Sequence, residues 1–209
     1  AVKGALANGE AVVNVAISGG KAIANLLTEM KAKVVQANQA GLDSASRTAL
    51  QNDFTALRDQ LETIVQTAEF NSTNLISSGA TATSILSTAE GSTIAVSAQP
   101  MAASSLGIAA SDLSTSAGAS TALTAIDSAI TSVADKLAAL GAVAKRIEVQ
   151  TDFTTSLVNI LTEGLGNLVD ADLAQESATL QALQIQQQLG VQSLAIANAG
   201  PQTILGLFQ

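Results

Sequence analysis

The first apolar pattern of the chain covers residues 2–34, which read VKGALANGEAVVNVAISGGKAIANLLTEMKAKV. Small or apolar residues recur there at alternating intervals of four and three, which is the spacing of a coiled-coil seam. The seam consists of Val2, Leu6, Gly9, Val13, Ala16, Gly20, Ile23, Leu27, Met30 and Val34. Glycine at a seam position weakens the helix but lets a neighbouring backbone approach closely. The pattern predicts one long helix, for which Gly41 offers a stop.

A second helical pattern follows after a short turn. Asp43 or Ser44 can cap its start, because both residue types accept hydrogen bonds from the first backbone amides of a helix. Its seam repeats the same spacing and consists of Leu50, Phe54, Leu57, Leu61, Ile64 and Ala68. Two consecutive helices with a short connection are expected to pack as an antiparallel pair.

The pattern then changes to short alternations that are rich in Ser and Thr. Residues 84–88 and 93–97 alternate in polarity and flank a turn that contains Gly91. They predict a β-hairpin at about residues 81–98. The following stretch 111–121 contains mostly Ser, Thr, Ala and Gly, and it predicts a loop before the next helix.

The seven-residue repeat returns from about Ala119. Its seam consists of Leu123, Ile126, Ile130, Val133, Leu137, Leu140, Ala144, Ile147, Phe153 (or Thr154, which holds the strict position), Leu157, Leu161 and Leu165. Gly164 and Gly166 predict that the end of this helix is weakened. Asp170 and Asp172 then predict the cap of a further, last helix.

Composition excludes most catalytic chemistry. The 209 residues contain no His, Cys, Trp or Tyr, and so no imidazole base, thiol nucleophile or soft metal ligand. Seventeen acidic against nine basic residues give a net charge of -8, which disfavours nucleic acid. Asp170 and Asp172 lie two residues apart and point to different faces of a helix, so they suit a cap better than a catalytic or metal site. Uninterrupted apolar runs fall far below the roughly 18 residues of a membrane span. We therefore expect no enzyme activity, cofactor, metal, nucleic-acid partner or membrane partner.

Charge is distributed unevenly along the chain. No Lys or Arg follows Arg146, and no charged side chain follows Glu176, so the final 33 residues are neutral. A single exposed helix normally carries charge on its outer face. We therefore interpret this tail as a surface for self-assembly.

Three pairs of motifs resemble bacterial flagellins of the short type found in alphaproteobacteria. They read TALQNDF (48–54) with AEFNS (68–72), SLGI (105–108) with IDSAI (126–130), and DADLA (170–174) with QQQLG (186–190). The resemblance implies a mainly α fold, an elongated coiled-coil helical bundle with one small β-hairpin region. It further implies an outer-shell helical domain at residues 1–169 and a C-terminal inner-tube helix at residues 170–209. It also implies that the family's N-terminal inner-tube helix and the variable outer domains are missing here.

The same resemblance implies a structural subunit that polymerises into the flagellar filament for swimming motility. It implies an extracellular location, export through the flagellar type III apparatus, and partners that include other flagellin subunits, an export chaperone, the filament cap and hook–filament junction proteins. Two alternatives remain open at this point. One is a hook–filament junction protein of the same family, and the other is a helical signalling bundle of the chemoreceptor kind, which would keep charge along its outer faces.

Three sets of residues are singled out. The subunit interface of the inner tube is expected at Leu173, Leu180, Leu183, Leu189, Val191, Leu194 and Ile196. The core seam is expected to include Leu27, Met30, Phe54, Leu57, Leu61, Ile130, Leu137 and Leu140. O-linked glycosylation, which many flagellins carry on outward-facing hydroxyls, is expected among Thr83, Ser87 and Thr93.

Overall fold

The computed structural model describes the backbone of residues 1–205 and the side chains of residues 1–197. In this part of the chain the elements are α1 (Val2–Ala37), α2 (Ser44–Thr67), β1 (Thr83–Leu86), β2 (Thr93–Val96) and α3 (Ser116–Leu205). The mainly α class with one small β-hairpin is confirmed. The end of the predicted inner-tube helix, residues 206–209, lies outside the described residues.

The chain divides into two compact units, Ala1–Thr155 and Ser156–Gln209. The first unit contains a continuous hydrophobic core, whose buried members run from Leu6 to Ile147. In the second unit every described side chain is exposed. The predicted domain division between residues 169 and 170 stays a prediction.

Helix α1 supplies one long side of the core. Every residue of its predicted seam is buried except the half-buried Val2. Helix α2 packs against it in the antiparallel sense, because Lys33 Nζ lies 2.8 Å from Asp53 Oδ2 near the turn, while Gly19 faces Ala68 further along. Helix α1 is long and apolar enough to cross a membrane by length and composition, with a mean hydropathy of 1.3 in its most apolar window. Packing in the core accounts for that apolar character.

The turn between α1 and α2 is held by two charged side chains. Asp43 caps α2, and its Oδ1 accepts a 2.7 Å hydrogen bond from the backbone N–H of Ser46. This bond holds the pKa of the Asp43 carboxyl below its ordinary value, since it favours the charged form. The buried Arg47 guanidinium donates to the carbonyl oxygens of Ala37 and Gln39, which the end of α1 leaves without helical partners.

A tight turn follows α2. Phe70 and Thr73 exchange two backbone hydrogen bonds of 3.0 Å around Asn71 and Ser72, whose φ angles are 49° and 60°. The left-handed region at both central residues is the signature of a type I′ turn. Asn74 then ties the chain back to α2, since its Nδ2 donates to the carbonyl of Val65 at 2.7 Å.

The hairpin forms where the alternation predicts it. β1 and β2 pair in antiparallel register, with Ile85 opposite Ile94 on the buried face. Gly91 in the connection has a φ of +97°, which an L side chain rarely adopts. Gln150 of α3 donates to the carbonyl of Ser87 at 2.9 Å and so attaches the hairpin to the helix.

Helix α3 begins earlier and ends later than the sequence predicts. It starts at Ser116, inside the predicted loop 111–121, because Thr115 Oγ1 caps it by accepting from the backbone N–H of Gly118 at 3.0 Å. It then runs without interruption to Leu205, so the predicted weakening at Gly164 and new cap at Asp170 are wrong. An isolated glycine costs a helix only about 1 kcal/mol and keeps its backbone N–H, so the hydrogen-bond ladder continues.

Glycine in the α1 seam permits close packing, as predicted. A methyl group added to Gly9 would collide with the Ile85 side chain of the hairpin, and one added to Gly20 would lie 2.7 Å from Cδ2 of Leu137. These contacts bring the hairpin and α3 directly onto the α1 backbone. The absence of a side chain at these two positions therefore sets the spacing of the core.

We expect Gly9→Ala to lower the free energy of unfolding by about 1 kcal/mol or more, because overpacking outweighs the better helix propensity of Ala. The matched control is Gly141→Ala in α3, where nothing lies within 4 Å of the added methyl group. The control should raise the free energy of unfolding by about 0.5–1 kcal/mol. Urea unfolding followed by circular dichroism measures the free energy of unfolding of both variants. An equal increase in that free energy in Gly9→Ala and Gly141→Ala would contradict the packing role of Gly9.

Candidate assembly surface

The second half of α3 exposes every described side chain from residue 156 to residue 197, which we call the exposed segment. Its large apolar residues are between 41% and 70% exposed. Among them are all seven predicted interface residues, namely Leu173, Leu180, Leu183, Leu189, Val191, Leu194 and Ile196. A water-soluble helix does not stably present this much apolar surface unless another surface covers it.

The apolar residues occupy more than one face of the helix. Leu173, Leu180 and Val191 are seven and eleven residues apart, which places them on one face. Leu189 and Ile196 are also seven residues apart but lie on a different face. The exposed segment can therefore contact neighbours on two sides at once.

The residues predicted to extend the core seam into this region do not reach the core. Phe153, Leu157, Leu161 and Leu165 continue the repeat of α3, yet they are 59%, 41%, 62% and 62% exposed. The last buried seam residue is Ile147. A heptad pattern indicates that a surface packs, but it does not indicate whether the partner belongs to the same chain.

The predicted core residues lie in the first unit. Five of them are buried almost completely, namely Leu27, Met30, Phe54, Leu61 and Leu140. The other three, Leu57, Ile130 and Leu137, are half-buried and pack against the same core. All eight form the scaffold to which the exposed segment is joined through α3.

Side chains of α2 hold the segment between the hairpin and α3, and no sequence pattern predicts these contacts. Glu62 Oε1 accepts from the backbone N–H of Ala103 at 2.7 Å, and Gln51 Oε1 accepts from that of Leu113 at 2.7 Å. Arg58 donates to the carbonyl of Ala109 at 2.9 Å. Polar residues that flank an apolar seam look like ordinary surface residues in sequence, so no pattern marked them.

The three predicted glycosylation sites differ in access. Thr93 is exposed and Thr83 is half-buried. Ser87 is only 7% exposed, and its hydroxyl donates to the carbonyl of Ser92 at 3.0 Å. Ser87 is therefore the least accessible of the three, and glycosylation at these positions stays a prediction.

The acidic residues of the exposed segment do not form a metal site. Among the side chains that the structure describes, no group of three or more His, Cys, Asp or Glu residues could hold a metal ion. Asp170 and Asp172 lie on an uninterrupted helix and point to different faces. The chemistry available on this surface is apolar contact, hydrogen bonding by glutamine and attraction of cations.

Two family descriptions match most of the chain. Residues 5–81 match the bacterial flagellin N-terminal helical region, and residues 123–208 match the bacterial flagellin C-terminal helical region. Flagellin FljM of Caulobacter vibrioides is 41% identical over 210 residues, which cover 100% of this chain and 77% of that protein. Flagellin C of Rhizobium meliloti is 31% identical over 261 residues, which cover 100% of this chain and 80% of that protein.

Two solved structures share the fold. A flagellin of Bacillus cereus superposes with a TM-score of 0.64 at 22% identity and covers 70% of this chain and 86% of that one. A putative flagellar hook-associated protein from Vibrio parahaemolyticus superposes with a TM-score of 0.63 at 14% identity, and the match covers 79% of this chain and 89% of that one. At these identities the likeness establishes the architecture only.

The two halves of α3 should differ in stability before assembly. We expect backbone amides of the exposed segment to exchange with solvent at least about a hundredfold faster than those of residues 126–147, which pack in the core. Hydrogen exchange of the unassembled protein, followed by mass spectrometry, measures both regions in one sample. Equal protection of the two regions would contradict the view that the exposed segment lacks packing partners in a single chain.

Proposed function

Because this chain belongs to the bacterial flagellin family and is a structural subunit of the flagellar filament, we propose that subunits assemble through the exposed segment of α3. The observation that carries this proposal is the exposure of all seven interface candidates, from Leu173 to Ile196, in a part of α3 where every described side chain is exposed. These residues form the proposed subunit interface of the inner tube.

The apolar contacts are large enough to drive association. Full burial of an exposed Leu, Ile or Val side chain contributes about 1.5–3 kcal/mol, and because the seven are 52–69% exposed, burying the rest of them supplies about 6–13 kcal/mol before costs. Association costs about 4–15 kcal/mol in lost translational and rotational freedom. Each subunit of a polymer contacts several neighbours, so the gain exceeds the cost when more than one face is covered.

We propose that two parts of the chain have different roles in the filament. Residues 1–169 form an outer-shell helical domain, in which the core seams of α1, α2 and α3 give rigidity. Residues 170–209 form the inner-tube helix. In this account the protein transmits torque through packed helices and performs no catalysis, in keeping with its lack of His and Cys.

Further partners belong to the same proposal. A filament subunit must cross the cell envelope before it assembles, and we propose export through the flagellar type III apparatus. An export chaperone would cover the apolar face of the exposed segment before assembly, and the filament cap and hook–filament junction proteins would contact it at the two filament ends. The fold supports these roles because the surface is already exposed in the single chain.

The two alternative functions are not retained. A hook–filament junction protein shares the fold, but the hook-associated protein that superposes on this chain is only 14% identical to it in sequence. The relatives named flagellin are up to 41% identical over the whole of this chain. A helical signalling bundle would not share both flagellin helical regions.

We expect Leu180→Asp to raise the critical concentration for filament elongation at least about tenfold, since it removes an apolar contact and places a carboxylate in the interface. The matched control is Gln181→Asp, which adds the same charge to the same helix at a position whose neighbours three and four residues away include none of the seven interface candidates. Full-length subunits are added to sheared filament seeds, and the sedimented protein is quantified. Elongation of Leu180→Asp at the level of the control would contradict the proposed interface.

We also propose that Thr93, and to a lesser extent Thr83, accept O-linked glycans on the hairpin. We expect an intact mass above the sequence mass, with the excess on the peptide that contains Thr93. Thr93→Ala should reduce this excess, whereas Ser87→Ala should leave it unchanged because the Ser87 hydroxyl is buried. Mass spectrometry of the native protein checks this, and an unmodified mass over residues 77–121 would refute it.

A further inference from the structure

A groove of about 500 Å³ lies between the hairpin and α3 in the first unit. It is lined by Ile94, Ala142, Lys145, Arg146, Val149 and Gln150. Val149 is 57% exposed at the groove, and the Gln150 bond to the Ser87 carbonyl fixes the hairpin wall against α3. The groove thus combines an apolar strip with two cationic side chains.

Arg146 is available to an acidic partner. Its neighbour Lys145 donates to Glu148 Oε2 at 3.0 Å, whereas Arg146 is exposed and has no hydrogen-bond or ion-pair partner among the described residues. Arg146 and Val149 are three residues apart and lie on the same side of α3. An apolar contact and a guanidinium are therefore offered together at the groove.

The exposed segment carries a complementary arrangement. Asp172 and Glu176 are four residues apart and share a face with Leu165, Leu168 and Leu183, which lie seven, four and eleven residues from Asp172. These three leucines are 62%, 70% and 55% exposed. Neither carboxylate pairs with a cation within the part of the chain that the structure describes.

We propose that the groove around Arg146 in one subunit receives the Leu165–Leu183 face of a second copy, with Arg146 paired to Asp172 and Glu176. This inference rests on the proposed assembly function and names the surface that meets part of the exposed segment. Leu165 and Leu168 of the second copy then cover Val149 and Ala142. The two carboxylates approach the guanidinium at the edge of that contact.

Electrostatics requires a cation from another copy. Burying the apolar face around Asp172 and Glu176 would desolvate both carboxylates, and a buried carboxylate without a cationic partner is strongly unfavourable. The chain has no Lys or Arg after Arg146, so the exposed segments of neighbouring copies cannot neutralise one another. Among the residues of this chain, a cation for this face is available only in the region that ends at Arg146, where the groove already offers apolar contact.

The experiment reverses the charge on each side. Full-length subunits that carry Arg146→Glu are tested for elongation of sheared filament seeds, together with Arg146→Glu combined with Asp172→Arg and Glu176→Arg. The matched control is Lys21→Glu, which reverses an exposed charge on α1 that also has no ion-pair partner among the described residues. Circular dichroism of each soluble variant checks that the exposed substitutions leave the helical fold intact.

We expect Arg146→Glu to raise the critical concentration for elongation about tenfold or more, and the triple variant to recover most of that loss. Lys21→Glu should change the critical concentration less than about threefold. Elongation of Arg146→Glu at the level of the unaltered protein would overturn the pairing. A loss that the triple variant does not recover would also overturn it, since a different acidic group would then face Arg146. If Leu180→Asp loses elongation while Arg146→Glu elongates normally, this pairing is refuted and the proposed function stands. If the unaltered protein fails to elongate seeds, both are refuted.

Discussion

The buried seam of α1 is the constraint on which the first unit depends. Its aliphatic residues are covered by α2, by the hairpin and by the first half of α3. Gly9 and Gly20 let two of these partners come directly against the helix backbone. Because the chain has only four Phe and no Trp or Tyr, the core gains its stability from many small contacts at close distance. Close approach of backbones therefore replaces large side chains as the means of filling space.

The same helix pattern has two outcomes in α3. Up to Ile147 the members of the repeat are buried or half-buried in the core, and from residue 156 to residue 197 every side chain is exposed. A helix that keeps its apolar repeat after its own core ends has free energy to gain only from other molecules. For a filament subunit this arrangement separates a unit with its own hydrophobic core from a surface that we propose neighbouring subunits cover.

Spacing and local chemistry predicted much of the fold. The α1 seam, the Asp43 cap and the Gly91 hairpin turn depend on interactions within a few residues, and sequence carries that information directly. The continuity of α3 through Gly164 was not predicted, because a glycine inside a helix and a glycine at its end look alike in sequence. Likewise, the pattern that identified Phe153 as a seam residue could not distinguish a partner in the same chain from one in another. The burial of Ser87 depends on its hydrogen bond across the hairpin connection, which composition does not reveal.

The most direct test of this account is a cryo-electron microscopy structure of the assembled filament at side-chain resolution. The account predicts that Leu173, Leu180, Leu183, Val191 and Leu194 pack against helices of neighbouring subunits and lose most of the exposure they show in the single chain. A filament in which these side chains remain in contact with solvent, while other surfaces join the subunits, would contradict it.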